Sequence, residues 1–175
     1  MGWNAGAFGT MTFPDAKSVE DWKKSTVSAQ DFDDWLNELE NFFDDELTVG
    51  KSLKSLIKLK HTLFEVNVNT TDVSLLFDGG EDTFRDFGGQ IALTLRAAAV
   101  CGATGVFHFL GTAGAEYDFT YELKLAKGRS TLKALGKAGI AKVYESDEYE
   151  AFSETVMSRL MDSDPALKKI LGKKK

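Results

Sequence analysis

Between Ser28 and Leu47 the apolar residues Phe32, Trp35, Leu36, Leu39, Phe42, Phe43 and Leu47 recur every three or four positions, the spacing that gathers them on one side of an α-helix. Asp33, Asp34, Glu38, Asp44 and Asp45 fall on the opposite side. Ser28 with Asp31 has the pattern of a capping box, and Val27 can pack on Phe32 as a hydrophobic staple, so the pattern predicts a helix over Ser28–Leu47. Like charges four apart, such as Asp34 and Glu38, cost a few tenths of a kcal/mol each. Burying the Phe, Trp and Leu side chains returns roughly 1.5–3 kcal/mol apiece, so packing decides the conformation.

Other stretches alternate with a period of two or of about 3.6. Ala7–Phe13 predicts a strand stopped by Pro14, and Ser18 with Asp21 predicts the cap of a short helix holding Trp22. Leu53, Leu56 and Ile57 among Lys51, Lys54, Lys58 and Lys60 predict a short basic helix that runs into a strand from about Thr62. Phe64, Val66 and Val68 alternate before the turn chemistry of Asn69–Asp72, and Val73, Leu75 and Phe77 alternate after it, which predicts a hairpin. From Asp82 to Cys101 the stripe Phe84, Phe87, Ile91, Leu95, Ala98 is joined by Leu93, Ala97 and Val100 on the far side, as in a buried helix. Gly88 and Gly89 inside it cost about 1 kcal/mol each, which a close approach by another backbone would offset.

Val106–Leu110 and Glu116–Leu125 predict a second hairpin. In its later strand Tyr117, Phe119, Tyr121, Leu123 and Leu125 share one face, and Glu116, Asp118, Thr120, Glu122 and Lys124 the other. Ser130–Ala138 reads as a helix, Ile140–Glu145 as a strand, and Asp147 with Glu150 as the cap of a helix bearing Tyr149, Phe152, Val156 and Leu160. A last turn begins at Asp164-Pro165, and Gly172–Lys175 is expected to fray. Hairpins separated by helices make the fold α+β: an antiparallel or mixed sheet of about five to six strands, helices mainly on one face, and one buried central helix. A chain of 175 residues with 43% apolar content suits a single globular domain over 1–175.

Charge changes this picture more than composition does. Residues 1–50 hold three Lys and eleven Asp or Glu, a net −8 out of −6 overall, leaving +2 for the other 125 positions. Asp31–Glu46 contains no Lys or Arg, a field that argues against nucleic-acid contact there and suits a basic partner. Lys124, Lys127, Arg129, Lys133, Lys137 and Lys142 form a second, basic surface with no acid between Glu122 and Glu145. That run lacks aromatic residues for base stacking, so nucleic acid is not the expected partner.

Candidate chemistry is sparse. The single Cys101 excludes an intramolecular disulfide and suits a reducing cytoplasm, and its place after an Ala-rich helix reads as core. No cofactor, zinc or calcium motif is present, and Ile91–Leu110 is too polar and too rich in Ala and Gly to cross a membrane. His61 reads as surface, whereas His108, between Phe107 and Phe109 in a strand, reads as a hydrogen-bonded structural histidine. No catalytic constellation emerges.

The expectation is therefore a non-enzymatic protein-interaction module whose partner-binding residues are Asp33, Asp34, Glu38, Asp44, Asp45, Glu116, Asp118 and Glu122. Its specific form is a bacterial immunity or inhibitor protein that neutralises a basic toxin through opposite electrostatic fields. The first alternative is a small-molecule binder or enzyme with a pocket between sheet and central helix, lined by Tyr117, Tyr121, His108 and Arg96. A nucleic-acid binder using the Lys124–Lys142 surface is the second.

Overall fold

The computed structural model describes residues 4–27, 47–58, 63–81, 84–112, 118–163, 166 and 169. Along the chain these form β1 (Asn4–Thr12), α1 (Ala16–Lys24), β2 (Thr26–Val27), β3 (Leu47–Thr48), α2 (Val49–Ile57), β4 (Leu63–Asn69) and β5 (Asp72–Glu81). There follow α3 (Phe84–Val100), β6 (Thr104–Thr112), β7 (Asp118–Ala126), β8 (Arg129–Ala134), α4 (Lys137–Tyr144) and α5 (Asp147–Ser163). Six strands make one sheet in the order β4-β5-β1-β6-β7-β8, antiparallel at every pairing, and β2 with β3 forms a separate two-residue ribbon. The fold is α+β, as the hairpin pattern predicts.

Alternation along the strands sorts side chains between two faces. Ala7 and Met11 of β1, Val73, Leu75 and Phe77 of β5, Phe107 and Phe109 of β6, and Leu123 and Leu125 of β7 all project into the main core. That core is closed by α1, α2 and above all α3, whose Ile91, Leu93, Leu95, Ala98 and Ala99 are buried. Trp22 of α1, fully buried, donates from Nε1 to the Thr94 carbonyl of α3 at 2.8 Å and lies 5.3 Å from the Phe13 ring. Gln90 of α3 donates to the Ser52 hydroxyl at 2.6 Å and to Ser55 Oγ at 3.0 Å, tying α3 to α2. The helix ends where Gly102 takes φ +89: its N–H bonds the Ala99 carbonyl at 2.9 Å, and the Ala103 N–H bonds that of Ala98 at 3.0 Å, a Schellman stop.

The second face is covered at one end only. Phe8, Leu76 and Leu110 pack there with Val143 of α4 and with Tyr149, Phe152 and Val156 of α5. A Cβ on Gly6 would stand 2.8 Å from Phe152 Cζ, so the absence of a side chain at Gly6 is what lets α5 lie against β1.

Several local expectations are corrected. Ser130–Ala138 is not a helix: Arg129–Ala134 is the edge strand β8, because Gly128, at φ +78, turns the chain back on β7. Ile140–Glu145 is not a strand: Lys137–Tyr144 is α4, in which the β-branched Ile140 and Val143, three apart, share one helical side despite their preference for strands. The cap of α1 is Asp15, accepting from the Ser18 N–H at 2.7 Å, three residues before the predicted one. For α5 it is Ser146, whose Oγ accepts from the Tyr149 N–H at 3.2 Å. Leu47 pairs with Val27 as strand rather than ending a helix, and 28–46, the rest of the predicted acidic helix with Val27 before it, lies outside the described residues. So do 164–165 and 170–175, where the last turn and the frayed end are expected.

Candidate interaction surfaces

Because every pairing is antiparallel, directly opposed residues form rows straight across the open face. One row reads Glu65, Leu76, Phe8, His108, Glu122, Lys133; the next reads Asn67, Ser74, Thr10, Val106, Lys124, Thr131. A third, at the end farthest from the helices, reads Asn69, Asp72, Thr12, Thr104 and continues on β8 with Arg129, which opposes Ala126. Above these rows lies a cleft of about 830 Å³, floored by Phe8, Leu76, Thr10, Ser74 and Val106 and walled by Lys142 and Val143 of α4 and Glu148, Ala151 and Thr155 of α5.

The carboxylates Glu122, Glu65 and Asp72 of this face each have a side-chain partner. His108 Nε2 lies 3.5 Å from Glu122 Oε2, and its ring centroid lies 5.7 Å from that of Phe8. Glu65 at the β4 edge pairs with Arg159 of α5 at 2.5 Å, which fixes the far end of that helix to the sheet. Thr12 donates to Asp72 Oδ1 at 2.7 Å. Among the described residues no group of three His, Cys, Asp or Glu side chains is placed to hold a metal ion.

A second surface lies on the other side of α5, at its elbow with α4. Tyr144, Glu145, Tyr149, Glu150, Ser153, Glu154 and Met157 line a hollow of about 420 Å³. Residues 149, 153 and 157 stand one above another at helical spacing, and 150 and 154 form the adjoining stripe. Tyr144 and Tyr149 meet edge to face with centroids 4.6 Å apart, and Met157 is 51% exposed. Residues 143–158 hold five carboxylates, Glu145, Asp147, Glu148, Glu150 and Glu154, and no Lys or Arg. None of the five is in an ion pair with a described residue. The arrangement joins an apolar, aromatic floor to a concentrated negative rim.

Of the partner-binding residues predicted from sequence, Asp33, Asp34, Glu38, Asp44, Asp45 and Glu116 lie outside the described residues, and only the backbone of Asp118 is placed, opposite Thr112. Glu122 is on the open face and bound to His108. His108 and Tyr121 are not brought together: His108 opposes Glu122, whereas Tyr121 opposes Phe109 and packs with the main core. Ile91, Leu95 and Phe107 are buried between sheet and α3, and the cleft floored by Phe8 and Val106 stands on the opposite face of the sheet. Cys101 is half-buried, its Sγ 3.6 Å from Ser25 Oγ, rather than sealed in the core. The acidic elbow was missed although its signal, sixteen residues without a cation, is plain in the sequence.

No described helix is long and apolar enough to cross a membrane. Comparison with family models, with curated proteins and with solved structures finds no match to this chain.

Proposed function

We propose that the chain is a non-enzymatic protein-interaction module that receives a basic protein partner. The observation that carries this reading is the elbow: Glu145, Glu150 and Glu154, none in an ion pair with a described residue, rim a hollow built from Tyr144, Tyr149 and Met157, with Asp147 and Glu148 adding negative charge in the same segment. Tyr and Met are enriched in the buried centres of protein interfaces, and a rim of one charge speeds encounter with a partner of the other and excludes like-charged competitors. The net −8 of residues 1–50 adds a second field of the same sign, carried by Asp33, Asp34, Glu38, Asp44 and Asp45.

A bacterial immunity or inhibitor protein, working in the cytoplasm against a cationic toxin, is the specific form this reading takes. The test compares three immobilised baits: the parent chain, Glu150→Lys with Glu154→Lys, and Asp33→Lys with Asp34→Lys and Asp44→Lys. The expected result is a basic protein captured by the parent, released by salt, and lost from at least one charge-reversed bait. Recovery of the same proteins by all three baits overturns the proposal.

A further inference from the structure

Charge is unevenly satisfied on the open face of the sheet. Its carboxylates Asp72, Glu65 and Glu122 have partners within the protein, in Thr12, Arg159 and His108 respectively. Its cations do not: exposed Lys124, Arg129 and Lys133, together with Lys142 on the cleft wall, make no ion pair with a described residue. Glu148, the cleft's remaining carboxylate, stands on the α5 wall across from them.

The register makes this an arrangement rather than a scatter. Lys133 opposes Glu122, Thr131 opposes Lys124, and Arg129 opposes Ala126, so Lys133 and Arg129 are the two diagonal neighbours of Lys124. Diagonal neighbours on one face are about 7–8 Å apart, within reach of long side chains, and like charges so placed repel. Apart from Lys133 facing Glu122, the line Lys133, Lys124, Arg129 gains no opposite-charge neighbour across the ribbon, and it runs roughly 13 Å along β7–β8 at about 3.3 Å per residue. A ligand carrying regularly spaced negative charge would supply such neighbours.

The neighbouring groups narrow the class of ligand. Thr10, Ser74 and Thr131 stand in the row of Lys124 and Thr104 in the row that Arg129 continues, and their hydroxyls can donate hydrogen bonds to phosphate oxygens. Those two rows contain no aromatic residue; in the first row, which holds Lys133, Phe8 is only 4% exposed and the His108 ring lies against Phe8 and Glu122. A surface that offers cations and hydroxyls without a stacking platform fits a backbone whose bases stay stacked on each other. We propose that the β7–β8 half of the open sheet face binds the phosphodiester backbone of a nucleic-acid duplex, without reading base sequence.

Fluorescence anisotropy of a labelled duplex of about 20 base pairs tests this, because three phosphate contacts give a salt slope of about −2.7 and hence about a 40-fold loss of affinity between about 50 and 200 mM salt. Lys124→Gln with Lys133→Gln should bind more weakly at low salt and lose only about fourfold over the same range, with an unchanged melting temperature because both side chains are exposed. Glu150→Gln with Glu154→Gln should bind the duplex at least as well as the parent, which separates this surface from the acidic elbow. Absence of binding at the lower salt, or equal binding by the lysine variant, overturns the proposal. So does tighter binding of the matching single strand, or equal competition by polyglutamate.

Discussion

Phe107 and His108 are neighbours in β6, yet the first has no solvent exposure beneath α3 and the second stands beside Glu122 in an open cleft. The same contrast separates Leu123 from Lys124 in β7 and Leu75 from Ser74 in β5. On the α3 side the side chains are chosen for volume and fill the space between sheet and helices. On the other side α4 and α5 cover one end, and the remainder carries hydroxyls, paired carboxylates and cations in no ion pair with a described residue. One sheet thus holds the molecule together with one face and leaves half of the other free to bind.

The largest effect expected from this division is at Trp22. Trp22→Ala removes a fully buried ring and its hydrogen bond to the Thr94 carbonyl, so urea unfolding should show a loss of about 3–5 kcal/mol. Phe152→Ala on the partly covered face should cost less, about 3 kcal/mol at most, because the ring is already at the cleft edge. Equal losses would mean that the two faces share the burden of stability. A finer cut compares adjacent residues of β1. A Cβ on Gly9 would meet the Val106 carbonyl and come within 2.6 Å of Phe107 Cδ1, so Gly9→Ala should destabilise by at least about 2 kcal/mol. Thr10→Ala, one residue on and exposed, should cost less than about 1 kcal/mol by the same measurement.

How far these faces were legible in the sequence depends on what each signal encodes. Period-two runs identify β1, β4, β5, β6 and β7, and the all-round apolar run identifies α3, because burial itself writes those patterns. Over residues 130–145 the sequence pattern predicts helix and then strand, and the structure has the reverse. Leu132 and Leu135 are three apart, as on a helix, and Ile140 and Val143 are β-branched, so local propensity pointed the wrong way. What decides there is tertiary: Gly128 folds β8 onto β7, and Val143 finds Leu110 and Phe8 beneath it. The functional consequence follows directly. Read as helix, 130–138 separates Lys133 from Lys124, whereas as strand it aligns them with Arg129 on one face. The His108–Glu122 pair was illegible for the same reason, since it depends on the register of β6 against β7.

The sealed face also contains polar contacts, which allow a test of whether it is sealed by volume alone. Gln90 is buried and its amide donates to Ser52 and Ser55, so Gln90→Leu keeps the bulk but leaves those oxygens with one partner fewer. A loss of about 1–3 kcal/mol is expected, with a double-mutant cycle against Ser52→Ala assigning the shared part. No loss would show that packing alone closes α2 on α3.

The smallest effect concerns Asp15, which caps the helix that delivers Trp22 to the core. The Ser18 backbone N–H, and then its hydroxyl, hold the Asp15 carboxyl below its ordinary value of 3.8. A carboxylate with a native pKa below its unfolded one adds stability above the unfolded value and loses it as pH falls through the native one. Asp15→Ala should therefore lower the melting temperature slightly near neutral pH, and the gap between parent and variant should close below about pH 3.8 as the parent's own carboxyl takes up its proton. Asp15→Asn, which keeps the acceptor oxygen but not the charge, should fall between them at neutral pH. If the gap between parent and Asp15→Ala is independent of pH, the cap acts on α1 through geometry alone and the field at the helix start contributes nothing to closing this face.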